Sequence, residues 1–143
     1  MVRSRRTKLS ADQMRINCRR DSVAGLLRRI HPKHVTHDKN LGRWRPISGA
    51  FSDKEMSVDA EPILHQHGLD WTFSLRNYSG YSLARFRAGE ARAKGLPVAH
   101  KPLPDNPAHT HVIGATGAMA RYFAVNCEWA HLELPSQDPR RDG

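Results

Sequence analysis

The chain has 143 residues, the length of a single domain. Apolar residues make up 38% of it, and a mean hydropathy of −0.66 with no long apolar run excludes a transmembrane helix. Twenty-three Lys and Arg against fourteen Asp and Glu give a formal charge of +9, which favours a polyanionic partner.

Residues 1–21 read as a basic flexible arm. Within residues 1–20, Arg3, Arg5, Arg6, Lys8, Arg15, Arg19 and Arg20 stand against Asp12 alone, so six of the nine excess charges lie there. Its few large apolar residues cannot repay the entropy of ordering. Residues 22–134 read as one α+β globular domain. It opens with Leu26-Leu27-Arg28-Arg29-Ile30-His31, a short apolar run stopped by Pro32 that reads as a strand or a short helix, with strand slightly preferred. From Lys33 to Ser57 the Gly, Pro, Asn and Asp content predicts a long irregular excursion around Trp44 and Phe51. Asp59 then fits the cap of a short helix that carries Glu61 and Pro62 in its first turn and ends at Gly68.

Alternation predicts a strand over Tyr81 to Arg87, followed by a helical turn or two from Ala88 to Lys94. Leu96 to His100 and His111 to Ile113 read as strands on either side of a rigid turn, Pro102-Leu103-Pro104-Asp105-Asn106-Pro107. Thr116 fits the cap of a long C-terminal helix over about 117–131, with Met119, Phe123, Cys127 and Ala130 at helical spacing. Residues 135–143, with two prolines and no large apolar side chain, read as a disordered tail. The expected architecture is therefore a small α+β domain of mixed short strands closed by that helix.

Three groups of residues invite chemistry. Gly42-Arg43-Trp44-Arg45-Pro46 sets two guanidinium groups beside a large π-face, the composition that single-stranded nucleic acid uses. Gly114, Thr116 and Gly117 form a glycine turn before a helix, so exposed backbone N–H groups there offer an anion seat. The turn imitates a dinucleotide-binding fingerprint, but only about 26 residues follow Gly117, too few for the rest of such a unit. Among nine histidines, His109 and His111 would share one face of a strand and are the pair best placed to hold an ion. No Cys-x-x-Cys or His-Glu-x-x-His accompanies them, so neither a metal nor a cofactor is expected. Cys18 and Cys127 form neither a disulfide framework nor a metal knuckle, and the N-terminus lacks the apolar stretch of a secretory signal. A cytoplasmic location is the expectation.

The order Arg29-Ile30-His31-Pro32, Arg45-Pro46 with Ser48, Ala50-Phe51, Met56-Ser57-Val58-Asp59, Pro104, Pro107-Ala108-His109 and Val112-Ile113-Gly114 resembles a group of small uncharacterised bacterial proteins. The resemblance spans about residues 26–114 and implies no activity. The run of Arg29, His31, Ser48 and Phe51-Ser52 is also similar to the opening of ADP-ribosyltransferase-like domains. That similarity implies Arg29 or Arg28 gripping a phosphate and His31 holding a nicotinamide ribose, with Glu90 and Glu128 both open as the later acid.

Three functions follow as expectations, the third being an interaction protein with no nucleic-acid role, whose charge serves only solubility. The leading one is a basic module that engages nucleic acid or an acidic protein surface through the arm cations together with Arg43, Trp44 and Arg45. Its rival is a small enzyme acting on a phosphate-bearing substrate, with Arg29, His31, Ser48 and His109 as the candidate residues.

Overall fold

A computed structural model of the chain describes residues 24–134. The expected arm at 1–21 and tail at 135–143 lie outside the described residues. Six strands form one sheet in the order β6-β7-β4-β1-β5-β8: β1 (Gly25–Ile30), β4 (Asp53–Ala60), β5 (Ser82–Arg87), β6 (Val98–His100), β7 (His109–Ala115) and β8 (Glu128–His131). Every neighbouring pair in it runs antiparallel. A separate antiparallel hairpin joins β2 (Val35–Asp38) to β3 (Arg43–Pro46). Three short helices complete the described residues: α1 (Glu61–Gln66), α2 (Ala88–Ala93) and α3 (Ala118–Asn126). This overturns the expected α+β domain with a long C-terminal helix. The fold is mostly antiparallel sheet, and its longest described helix has nine residues.

The reason lies at Asn126. Its side-chain amide donates to the Tyr122 carbonyl at 2.9 Å, and Cys127 turns extended. Residues 128–131 then gain more as a strand than as one further helical turn. They pair with β5, Trp129 donates its indole N–H to the Trp44 carbonyl at 3.1 Å, and Glu128 meets Arg85 at 3.1 Å and Arg87 at 3.3 Å. Helix α3 also begins one residue later than expected, with Gly117 at the cap position and no side-chain cap from Thr116.

The predicted excursion over 33–57 is likewise ordered. Asp38 closes the hairpin turn by accepting from the backbone N–H groups of Asn40 and Leu41 at 2.8 and 3.0 Å, and Gly42 supplies a φ of 68°. Arg45 adds an ion pair to Asp38 at 2.6 Å, and its hydrogen bond holds the carboxyl below the usual carboxylate range. Beyond a 3-10 turn at Ser48–Phe51, β4 alternates strictly: Met56, Val58 and Ala60 are buried in the core, while Ser57 and Asp59 point to the other face. Asp59 is therefore a strand residue, and Ala60 occupies the cap position of α1.

One face of the sheet is the main core. Leu26, Ile30, Met56, Val58, Phe86 and Val112 pack there under α3 and the 48–51 turn, where Phe51, Phe86 and Phe123 meet with ring centroids 4.5 to 6.1 Å apart. Arg28 shares this face. Its guanidinium donates to the carbonyls of Ala50 at 3.0 Å and Ser57 at 2.9 Å, and burial lowers its pKa. Strand β1 enters beside α1 so closely that a Cβ at Gly25 would lie 1.9 Å from Glu61 Oε1, the oxygen that binds Arg85 Nε at 2.6 Å. On the opposite face Leu27, Leu64, Leu83 and Ala108 form a smaller cluster roofed by a 3-10 turn at Trp71–Leu75. That roof stops short of the β4–β7 half of the sheet, where Ser57, His109 and His111 are half-buried and Glu55 is exposed.

Cys127 is 4% exposed beneath α3, and burial pushes its thiol up to about 12 from an ordinary 9.0. A raised folded value means that the unfolded chain releases its proton first, so this thiol's contribution to stability is present below the unfolded pKa and fades as pH rises through and beyond it. At neutral pH the group is a protonated thiol, a poor nucleophile. Iodoacetamide is expected to modify Cys127 only at the rate of global unfolding, read by peptide mass. Modification at the rate of a free thiol would contradict this packing.

Candidate functional site on the open sheet face

Asp59 is the centre from which this face is built. Only 1% exposed, it accepts from Ser74 Oγ at 2.5 Å and from Asn106 Nδ2 at 2.8 Å. Asn106 in turn accepts the Ala108 N–H at 3.1 Å, and Ala60 donates its N–H to the Ala108 carbonyl at 3.0 Å. One carboxylate thereby ties the 71–75 turn and the 102–108 loop to the end of β4. Arg29 reaches the same carboxylate at 3.5 Å and the Ser74 carbonyl at 3.3 Å, both through Nη1. Its guanidinium lies 4.4 Å over the ring of Tyr78, which is 36% exposed. Nε and Nη2 of Arg29 make no hydrogen bond among the described residues and remain available to an acceptor.

Across the strand from Asp59 stands His109, and across from Ser57 stands His111. The two imidazole rings meet edge to face with centroids 4.9 Å apart. His109 Nδ1 lies 2.9 Å from the Lys101 carbonyl, which can only accept, so Nδ1 carries a proton and donates it. In the neutral ring Nε2 is then an acceptor, and Ser57 Oγ sits 3.2 Å from it. Among the described residues His111 Nδ1 is buried with no hydrogen-bond partner, an uncommon arrangement that costs about 1–3 kcal/mol. Arg76 stacks over Phe73 at 3.8 Å beside the same roof and donates to the Asp105 carbonyl at 3.0 Å.

Of the residues singled out from sequence, Arg29 and His109 belong to this face. His31 follows Arg29 at the end of β1, where Nδ1 accepts the Lys33 N–H at 3.0 Å and the ring packs on Tyr81 at 5.1 Å. Ser48 lies in the turn that packs on α3 against the main core, so it is not brought to them. Arg43 donates to the Val125 carbonyl, Arg45 pairs with Asp38, and Trp44 packs half-buried against the core with its edge-on neighbour His37 at 5.2 Å. All three make contacts within the fold and are half-buried. Gly114 and Gly117 take φ values of 91° and 54° around exposed Thr116, forming the turn into α3. His109 and His111 do lie together, and among the described residues no third ligand joins them in a metal-binding group. The seven arm cations lie outside the described residues.

Sequence reasoning missed Ser57, Ser74, Tyr78 and Asn106, and gave Asp59 the wrong duty. The available signal was the Met56-Ser57-Val58-Asp59 run, whose strict apolar-polar alternation is that of a strand with one polar face. A second concavity, about 390 Å³, opens at the end of the main core between Leu26, Ala60, Ile63, Val98, His100 and Thr110. Two of its polar groups are engaged with the chain's own backbone: His100 donates to the Pro107 carbonyl at 2.7 Å and Thr110 to that of Ala108 at 3.0 Å.

Compared with known proteins, the chain matches no family model, no curated protein and no solved structure. No helix among the described residues is long and apolar enough to cross a membrane. The open face therefore has to be interpreted from its own chemistry.

Proposed function

We propose that the protein binds single-stranded nucleic acid on the open half of its sheet, with the N-terminal cations adding affinity that does not depend on sequence. The observation that carries this reading is the convergence of Arg29, Tyr78, Ser57, His109 and His111, drawn from four separate stretches of chain, onto one half-exposed patch. A guanidinium stacked on an exposed tyrosine beside two imidazoles offers donors to phosphate oxygens and π-faces to bases. The net charge of +9 supports the same partner. The acidic residues Asp53 and Glu55 bound the patch toward the start of β4, so the strand would run along the end that carries Arg29, Arg76 and Lys101.

The test is fluorescence anisotropy with a labelled single-stranded oligonucleotide, from low to physiological salt, on the full chain. Tyr78→Ala is expected to weaken binding about 5- to 150-fold, the worth of one stacked base. Replacing Arg3, Arg5, Arg6 and Lys8 by Gln is expected to flatten the log-linear salt dependence. Affinity no better than that of a generic polycation, or unmoved by Tyr78→Ala, overturns the proposal. Selective capture of an acidic polypeptide in place of the oligonucleotide would do the same.

A further inference from the structure

The open face holds more than a phosphate seat needs. Ser57 is in hydrogen-bond contact with an imidazole whose other nitrogen is fixed by a backbone carbonyl, and that is the arrangement of an activated nucleophile, its base and an orienting group. The Lys101 carbonyl selects the tautomer in which His109 Nε2 faces Ser57 with a lone pair. The residue is also held from behind: Arg28 donates to the Ser57 carbonyl at 2.9 Å from the core side, and the strand pairs Ser57 with His111 of β7. Rigid elements position reacting groups better than loops do. Arg29 shares this face, two residues along β1 from Leu27, which stands opposite Asp59. Its unengaged Nε and Nη2 are donors suited to a phosphate oxygen. His111, directly across from Ser57, contributes the orphaned Nδ1, and unsatisfied buried polar atoms concentrate where a structure serves function over stability.

From this geometry we infer that Ser57 is a nucleophile toward the phosphodiester phosphorus of the bound strand, with His109 moving the proton. The inference rests on the nucleic-acid reading above and names the chemistry of the same site. In the first step Ser57 Oγ bonds to phosphorus as its proton passes to His109 Nε2. The P–O bond to the departing nucleoside oxygen breaks, and that oxygen takes the proton from His109. In the second step water attacks the phosphoserine phosphorus, gives a proton to His109, and Ser57 leaves with that proton restored. Atoms and charge balance with water as the sole co-reactant. Arg29 neutralises the equatorial oxygens through both steps.

The experiment uses the full chain and two probes, with chelator present. An alkyl fluorophosphonate reports the nucleophile directly, because attack by Ser57 expels fluoride and leaves a phosphonylated peptide visible by mass spectrometry. A labelled single-stranded oligodeoxynucleotide, which has no 2′-hydroxyl of its own to attack with, reports cleavage and, after acid quench, any nucleotide carried on the peptide that contains Ser57. The expected result is modification at Ser57, cleavage of the strand, loss of both in Ser57→Ala, and at least a 100-fold slower reaction in His109→Gln. Ser57→Ala deletes a single half-buried oxygen, and an unchanged thermal midpoint shows that the fold survives. Cleavage that persists in Ser57→Ala, or a Ser57 that stays unmodified, overturns the inference. The two readings fail separately: full binding with Ser57 unmodified removes the nucleophile, whereas Ser57 modified with no binding removes the nucleic-acid ligand.

Discussion

Asp59→Ala is expected to lower the free energy of unfolding by about 3–5 kcal/mol, the loss that follows when one partner of a buried charged network is removed. The substitution leaves the Ser74 hydroxyl and one Asn106 amide proton without an acceptor, takes the counter-charge from Arg29, and opens a void at a site only 1% exposed. Asp59→Asn separates these effects. It preserves the volume, but its amide nitrogen must turn a donor toward either Ser74 or Asn106, so a loss of about 1–3 kcal/mol is expected. Urea unfolding followed by tryptophan fluorescence measures both, since Trp71 opens the turn that Ser74 belongs to. Values within about 0.5 kcal/mol of the parent for both variants would show that the network carries no stability. Asp59 also holds the loop leading into His109, so Asp59→Ala is expected to impair oligonucleotide binding while leaving the arm's salt-dependent contribution in place.

How far the sequence revealed this arrangement depended on whether local pattern and long-range pairing agreed. They agreed for β1, α1 and α2, where a proline or glycine stop follows the apolar pattern, and for β5, marked by alternation alone, and each was legible within a residue or two. They disagreed at the C-terminus. Met119, Phe123, Cys127 and Ala130 fall at helical spacing, yet the last two belong to a bend and a strand, because β5 has an open edge to pair with and Trp129 finds a carbonyl on β3. Helical period over a few residues is weak warrant when a sheet edge competes for the same backbone donors. From 33 to 57 the difficulty was the reverse. The turn residues Asp38 and Gly42 were read as the mark of a loop, when they serve a tight hairpin between two short strands.

The site was legible only in part, for a related reason. Arg29 and His109 drew attention as residue types with chemistry, and they do share a face. Arg43, Trp44 and Arg45 drew the same attention for composition, and the fold engages all three in intramolecular contacts. Composition cannot say which cations and aromatics a fold engages in its own contacts. Ser57 and Tyr78 carry no signal as single letters. Their meaning comes from antiparallel register, which sets Ser57 opposite His111 and Asp59 opposite His109 across a sequence distance of about fifty residues, and from a roof that ends before it covers them.

Phe123→Ala is the second large effect, and it tests the revised C-terminus. A nine-residue helix is too short to persist on propensity alone, so α3 is held by what it buries. Phe123 is its anchor: fully buried, 4.5 Å from Phe86 and 6.0 Å from Phe51 between ring centroids, it joins the helix to the sheet and to the 48–51 turn. Truncation is expected to cost about 3–5 kcal/mol, and Phe123→Leu appreciably less because the branched side chain refills part of the void. Since Cys127 donates its N–H to the Phe123 carbonyl at 2.9 Å and lies beneath the same helix, the loss has a second readout. At about 1.4 kcal/mol per decade, a 3–5 kcal/mol loss raises alkylation of Cys127 by roughly 100- to 4,000-fold if the thiol is reached through global unfolding. Equal losses of stability with no change at the thiol would mean that Cys127 opens independently of α3, and that strand β8 rather than the helix shields it.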